Sequence, residues 1–238
     1  MFASVFSAAI SGMEVHLIKV EADVSDGLPS FTMVGLPSTQ VKEAQDRVRT
    51  ALKNNGIALP PKRITVNLAP ADIRKEGAGF DLPLAAAVLA AAGVLSAEQL
   101  GNVMMAGEIG LNGEIHAVSG ILPMIIRARE EKCRFCVVPY DNLKEAHLIP
   151  DMKVIGVADL QEMIRYVSAP DSYKKAVETG KKSPQENSVD FCEIHGQESL
   201  KRAVEIAVSG FHNLLMIGPP GAGKTMIARR IPGIMPEL

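Results

Sequence analysis

Eight consecutive residues, Gly218-Pro219-Pro220-Gly221-Ala222-Gly223-Lys224-Thr225, constrain this 238-residue chain more than any other stretch. They match G-x-x-x-x-G-K-[ST], and they lie between an apolar run that reads as a buried strand, Asn213 to Ile217 (NLLMI), and a helical pattern from Lys224. A backbone that wraps a phosphate with its N–H groups pointing inward needs glycines where side chains would obstruct it. The following helix start adds favourable partial charge. In this pattern Lys224 contacts the β- and γ-phosphates and the Thr225 hydroxyl ligates Mg2+, so ATP and Mg2+ are the implied cofactors. A structural glycine turn is the bland alternative, and the agreement of both flanking elements argues against it.

Hydrolysis in this class also needs an acidic residue on a neighbouring strand and usually an arginine from a neighbouring subunit. Only 13 residues follow Thr225, and IPGIMPEL is rich in helix and strand breakers. The expectation is the front part of a larger ATPase, with weak nucleotide affinity and no turnover on its own.

Upstream, alternation from Met13 to Val24 predicts a strand, with a slip at Leu17/Ile18 that reads as a bulge. Ser30–Val34 and Arg63–Leu68 read as further strands. Between them Val41, Ala44, Val48, Ala51 and Leu52 recur at helical spacing, closed by Asn54-Asn55-Gly56. Asp81 stands at a helix N-cap position, followed by a stretch to Ala92 that is apolar nearly all round. Short strands at Val103–Ala106 and Glu114–Val118, a helix from Gly120 to Lys132, strands at Phe135–Val138 and Lys153–Val157, and a helix at Leu160–Val167 complete an α/β domain of mixed sheet topology over residues 1–168. Residues 169–188 (APDSYKKAVETGKKSPQENS) lose apolar content and read as a linker, and residues 189–238 begin a second domain, with a helix at Gln197–Ser209.

Charge and cysteine usage narrow the classes. Twenty-five basic against 27 acidic residues give a net charge of −2, which supplies no free-standing nucleic-acid surface. Three cysteines cannot build a disulfide framework, so a cytoplasmic location is expected. The longest apolar run, Leu82 to Leu95, is interrupted by Pro83 and short for a membrane span, so no membrane partner is expected. Cys133-Arg134-Phe135-Cys136 is a lone C-x-x-C at a strand and reads as buried thiols; the histidines are scattered without metal-ligand spacing. Arg47, Arg49 and Lys53, like Glu130 and Glu131 beside Arg127, read as solvated helix faces.

Five stretches together resemble the YifB/ComM family of magnesium chelatase-like AAA+ ATPases: SAAISGMEVHLIKVEADVSDGLPSFTMVGLPSTQVKEAQDRVRTALKNNG, ITVNLAPADIRKEGAGFDLPLA, GEIGLNGEI, GILPM and DFCEIHGQESLKRAVEIAVSGFHNLLMIGPPGAGKTMIARRIPGIMP. The resemblance covers essentially the whole chain. It implies a fold in two parts: an N-terminal domain similar to the Lon protease domain (a ribosomal S5 domain 2-like fold), then the first part of a P-loop AAA+ module. It also implies Ile194, His195, Gly196 and Gln197 as base-side contacts; the residues themselves read equally well as a turn opening a helix, and both readings stand. A homo-oligomeric, hexameric ring is implied for the complete protein.

The Lon likeness raises a peptidase as a rival, in which a lysine takes a proton from a nucleophilic serine. Laid on this chain, Lys75-Glu76-Gly77 puts Gly79 at the serine position, and Gly107-Glu108-Ile109 through Gly120 puts Leu122 at the lysine position. Neither residue can do that chemistry. Three functions are therefore weighed: a ring motor acting on DNA, as in the branch-migration role attributed to ComM; a motor for metal insertion, as in magnesium chelatase; and a nucleotide-dependent interaction module. The Lon-like domain is expected to favour the first, because chelatase motor subunits generally lack it.

Overall fold

The computed structural model describes residues 1–173 and 191–235, in two compact units. In the first, β1 (Phe2–Ser11) and β2 (Glu14–Ser25) form an antiparallel hairpin around Gly12, whose φ of 62° suits a tight turn. Their register runs unbroken from Phe2 opposite Asp23 to Ser11 opposite Glu14, so the bulge expected at Leu17/Ile18 is absent. The apolar slip has another cause. Ile18 and Val20 face the main core, while Val15 and Leu17 pack on the opposite sheet face, which is also covered at that end. The sequence reading also missed β1, whose apolar residues supply both faces: Ala3, Val5 and Ala9 to one core and Ala8 to the other.

After β3 (Ser30–Val34), Ser38 caps α1 (Thr39–Asn54), its Oγ accepting from the Val41 N–H at 3.3 Å. Gly56, at φ 75°, ends the helical segment. Gly35 is required sterically, since a Cβ there would lie 2.2 Å from the Leu68 carbonyl oxygen. Removing the cap with Ser38→Ala is expected to lower unfolding free energy by about 1 kcal/mol, read from urea melts of the whole chain; no change would mean that the cap is dispensable.

β4 (Arg63–Ala69) leads to α2 (Asp81–Ala91), in which every residue is buried. Sheet, α1 and the short α3 (Ala97–Leu100) surround this helix, and its alanines allow their close approach. Each of Leu82, Leu84 and Leu89 contributes on the order of 1.5–3 kcal/mol by burial. Asp81 is not the N-cap expected from sequence: a 3-10 turn (Ala78–Phe80) precedes it, Phe80 takes the cap position, and Asp81 is already helical at φ −61°. Its carboxylate is used elsewhere, as described below.

The chain continues through β5 (Val103–Met105), β6 (Glu108–Ile109), β7 (Ile115–His116), α4 (Ile121–Glu130), β8 (Phe135–Pro139), α5 (Leu143–Ala146), β9 (Val154–Val157) and α6 (Leu160–Ser168). Seven strands form one sheet in the order β3-β4-β2-β1-β5-β8-β9, while β6 and β7 form a small antiparallel pair. Within the large sheet β2 is antiparallel to both β1 and β4, and the other neighbours are parallel. This is the mixed α/β topology the sequence predicts. Residues 169–173, expected to open the linker, pack on this unit: Tyr173 meets Tyr166 edge-on at 5.0 Å, and its Oη accepts from the Gly156 N–H at 3.0 Å. Residues 174–188 of the expected linker lie outside the described residues.

The second unit contains α7 (Glu198–Ser209) and α8 (Lys224–Arg230) around a small core of Ile194, Val204 and Ile227. The strand expected at Asn213–Ile217 is not formed. A strand is stabilised through a paired neighbour, and among the described residues of this unit no other segment is in strand conformation. Leu215 and Ile217 are consequently exposed, at 81% and 87%. Among the described residues, no helix is long and apolar enough to cross a membrane.

Candidate functional site

Gly218, Pro219, Pro220, Gly221, Ala222, Gly223, Lys224 and Thr225 form one continuous loop that runs into α8. Gly221 and Gly223 adopt φ of 82° and 83°, conformations that side chains resist, and Gly223 occupies the cap position of α8. A Cβ at Gly221 would meet nothing within 4 Å, and one at Gly218 only the Ala222 side chain at 3.9 Å. The glycines thus keep this stretch of backbone clear of side chains. Lys224, half-buried, folds back over this loop, with Nζ donating to the carbonyl oxygens of Gly218 at 2.6 Å and Pro219 at 2.7 Å. An ammonium already held across the loop by two carbonyls can exchange them for phosphate oxygens with little side-chain rearrangement. Thr225 follows on the first turn of the helix, exposed.

The four residues expected on the base side separate in role. Ile194 is buried with Val204 and Ile227 and anchors the segment, whereas His195, Gly196 and Gln197 are exposed. Gly196 and Gln197 have φ of 71° and 55°, and Gln197 stands at the cap position of α7, which begins at Glu198, one residue later than expected from sequence. Its side-chain amide donates to the Ala222 carbonyl oxygen at 3.2 Å. The structure therefore brings Gln197 against the glycine loop, a link across 25 residues that no spacing in the sequence reveals.

In the first unit, Gly79, aligned with the peptidase serine, lines a cleft of about 310 Å³ together with Gly77, Glu76, Glu108, Val118 and Ser119, whereas Leu122, aligned with the lysine, is not part of its lining. A Cβ at Gly79 would lie 4.0 Å from the Val118 methyls, so space for a side chain exists where the sequence supplies none. Lys75, which served in sequence only as an alignment mark, is wholly buried. Its Nζ donates to the Gly35 carbonyl oxygen at 2.9 Å and to that of Pro70, and burial pushes its pKa down. It braces two loops. Arg47 is not the solvated residue expected either: its Nε and Nη2 donate to the two Asp81 carboxylate oxygens at 2.8 and 2.9 Å, and Asp81 is fully buried. The Ile109 N–H donates to the same carboxylate at 3.1 Å, so one acid ties α1, α2 and β6 together. Burial raises the pKa of Asp81 although Arg47 and the amide oppose it. Glu130 and Glu131 do pair with Arg127 as the sequence predicts, at 3.2 and 2.5 Å. Cys133 and Cys136 are both buried, and burial pushes both thiols up, which keeps them protonated.

Comparison with known proteins assigns both units. The family model "Subunit ChlI of Mg-chelatase" matches residues 20–142, and "Magnesium chelatase, subunit ChlI" matches residues 190–238. Competence protein ComM of Haemophilus influenzae is 42% identical over 99% of this chain and 47% of its own length. YifB of Escherichia coli is 42% identical over 98% of this chain and 46% of its own length. The chain thus spans about half the length of these curated relatives. Lon protease 2 of Bacillus subtilis is 27% identical over 53% of the chain, which accords with a Lon-like first unit. With a glycine cradle on one unit and a Lon-like mixed sheet on the other, the chain belongs to the YifB/ComM family of magnesium chelatase-like AAA+ proteins.

Proposed function

We propose that this chain is the nucleotide-binding front part of a ComM-type ring motor that works on DNA in the cytoplasm. The observation that carries the nucleotide reading is the loop itself: left-handed glycines at 221 and 223 leave the backbone bare, and Lys224 is poised over it. ATP with Mg2+, when bound, supplies the free energy of phosphoryl transfer. The backbone N–H groups of the loop hold the phosphates, Lys224 neutralises the outer ones, and the Thr225 hydroxyl offers an oxygen to the cation. Gln197 fixes the loop from the base side by holding the Ala222 carbonyl. The first unit serves as a scaffold for ring assembly or partner contact, since Gly79 and Leu122 offer neither nucleophile nor base.

One observation favours metal insertion as a second reading. Both family models carry the magnesium chelatase description, including the one over residues 20–142, so the Lon-like unit does not separate the two motors as the sequence reading expected. Binding to DNA does. In the full-length protein with ATP, affinity for a branched DNA is expected to fall at least about tenfold between 50 and 200 mM salt, as a few released counterions require. Fluorescence anisotropy measures it, and absence of DNA binding in every nucleotide state would overturn the DNA reading.

A further inference from the structure

β3 is an edge of the large sheet, and among the described residues no strand pairs with its outer side. Its sequence, SFTMV, carries no charge and no proline, and the parallel ladder with β4 is regular from Ser30 opposite Arg63 to Val34 opposite Asn67. Exposed edges are usually blunted by charge, proline or a bulge, and this one has none of these. At the N-terminal end of β3, a groove of about 370 Å³ is lined by Ser30 and Phe31, by Ile57 and Leu59 of the segment before β4, by Ile64 of β4, and by Arg49, Lys53 and Lys62. No acidic residue lines it. Arg49 and Lys53 stand one turn apart on the exposed face of α1, and among the described residues neither forms an ion pair; Lys62 is held by the exposed Asp26 at 2.8 Å.

We propose that β3 and this groove bind an extended acidic peptide segment of a partner protein by strand addition. Unpaired backbone groups on the outer side of β3 repeat at strand spacing, which another peptide backbone matches. The apolar part of the lining takes alkyl side chains on one side of that strand, and the three cations select carboxylates beside them. A nucleic acid is the poorer match: Phe31 is the single aromatic ring in the lining, and no base-stacking platform accompanies the charge.

The test uses the 238-residue chain and a fluorescein-labelled eight-residue peptide alternating glutamate with valine. Anisotropy should show saturable binding below about 1 mM. The double variant Arg49→Glu, Lys53→Glu should weaken it about tenfold with the melting temperature unchanged, because both side chains are exposed. The same peptide methylated on every backbone nitrogen should not bind, and amide exchange at residues 30–34 should slow only with the unmethylated peptide. No binding in this range, equal binding by the charge-reversed variant or the methylated peptide, or displacement by an eight-nucleotide thymidine oligomer would each overturn the proposal.

Discussion

Asp81→Ala is expected to destabilise the first unit by about 3–5 kcal/mol, the scale observed when one partner of a buried ion pair is removed. Asp81 is 0% exposed and accepts three hydrogen bonds, two from Arg47 and one from the Ile109 amide. Alanine strips all three and leaves a buried N–H without a partner. Arg47 is partly exposed and also donates to the Gln40 carbonyl, which limits the loss. Asp81→Asn keeps an acceptor for the amide and is expected to cost about half as much. The pH dependence follows from the raised pKa. In the folded state Asp81 holds its proton to higher pH than an unfolded aspartate, which titrates near about 3.9. Its protonated form therefore contributes stability that is fully present below that value and is lost as pH rises through the folded pKa. Measured by urea melts across this window, the advantage of the native protein over Asp81→Asn should shrink as pH rises. An advantage that grows would show that Arg47 outweighs burial.

The second unit behaves differently because its chemistry lies in backbone conformation. Lys224 sits on the surface of the loop and packs into no core, so replacing it removes charge-assisted hydrogen bonds without opening a cavity. Lys224→Ala should therefore leave the melting temperature essentially unchanged while lowering nucleotide affinity about a hundredfold, the equivalent of one or two strong charged hydrogen bonds.

Periodicity revealed much of this fold because strands and helices that face one core repeat their apolar residues in a fixed rhythm. α1 and α2 emerge within two residues of the sequence reading, which did not single out the cap at Ser38. The bulge at Leu17/Ile18 did not emerge, because a strand whose second face is also partly covered breaks alternation without breaking register. Asp81 illustrates a different limit. An acid before an apolar helix is locally an ideal cap, and only the approach of Arg47 from 34 residues away gives it another partner. Lys75 is the same case, a cation in a polar stretch that the fold closes over. At the glycine loop the motif is local, so its continuity from Gly218 to Thr225 could be read from spacing alone. Two things there depended on other segments and were not legible: the contact of Gln197 with Ala222, and the failure of Asn213–Ile217 to form a strand without a neighbour.

The most direct test is equilibrium binding of a fluorescent ATP analogue with Mg2+ to the full-length protein and its Lys224→Ala variant, each first shown to melt at the same temperature. A loss of about a hundredfold in affinity is the result expected of a loop built to hold a nucleoside triphosphate. Equal affinity in the two proteins would contradict it.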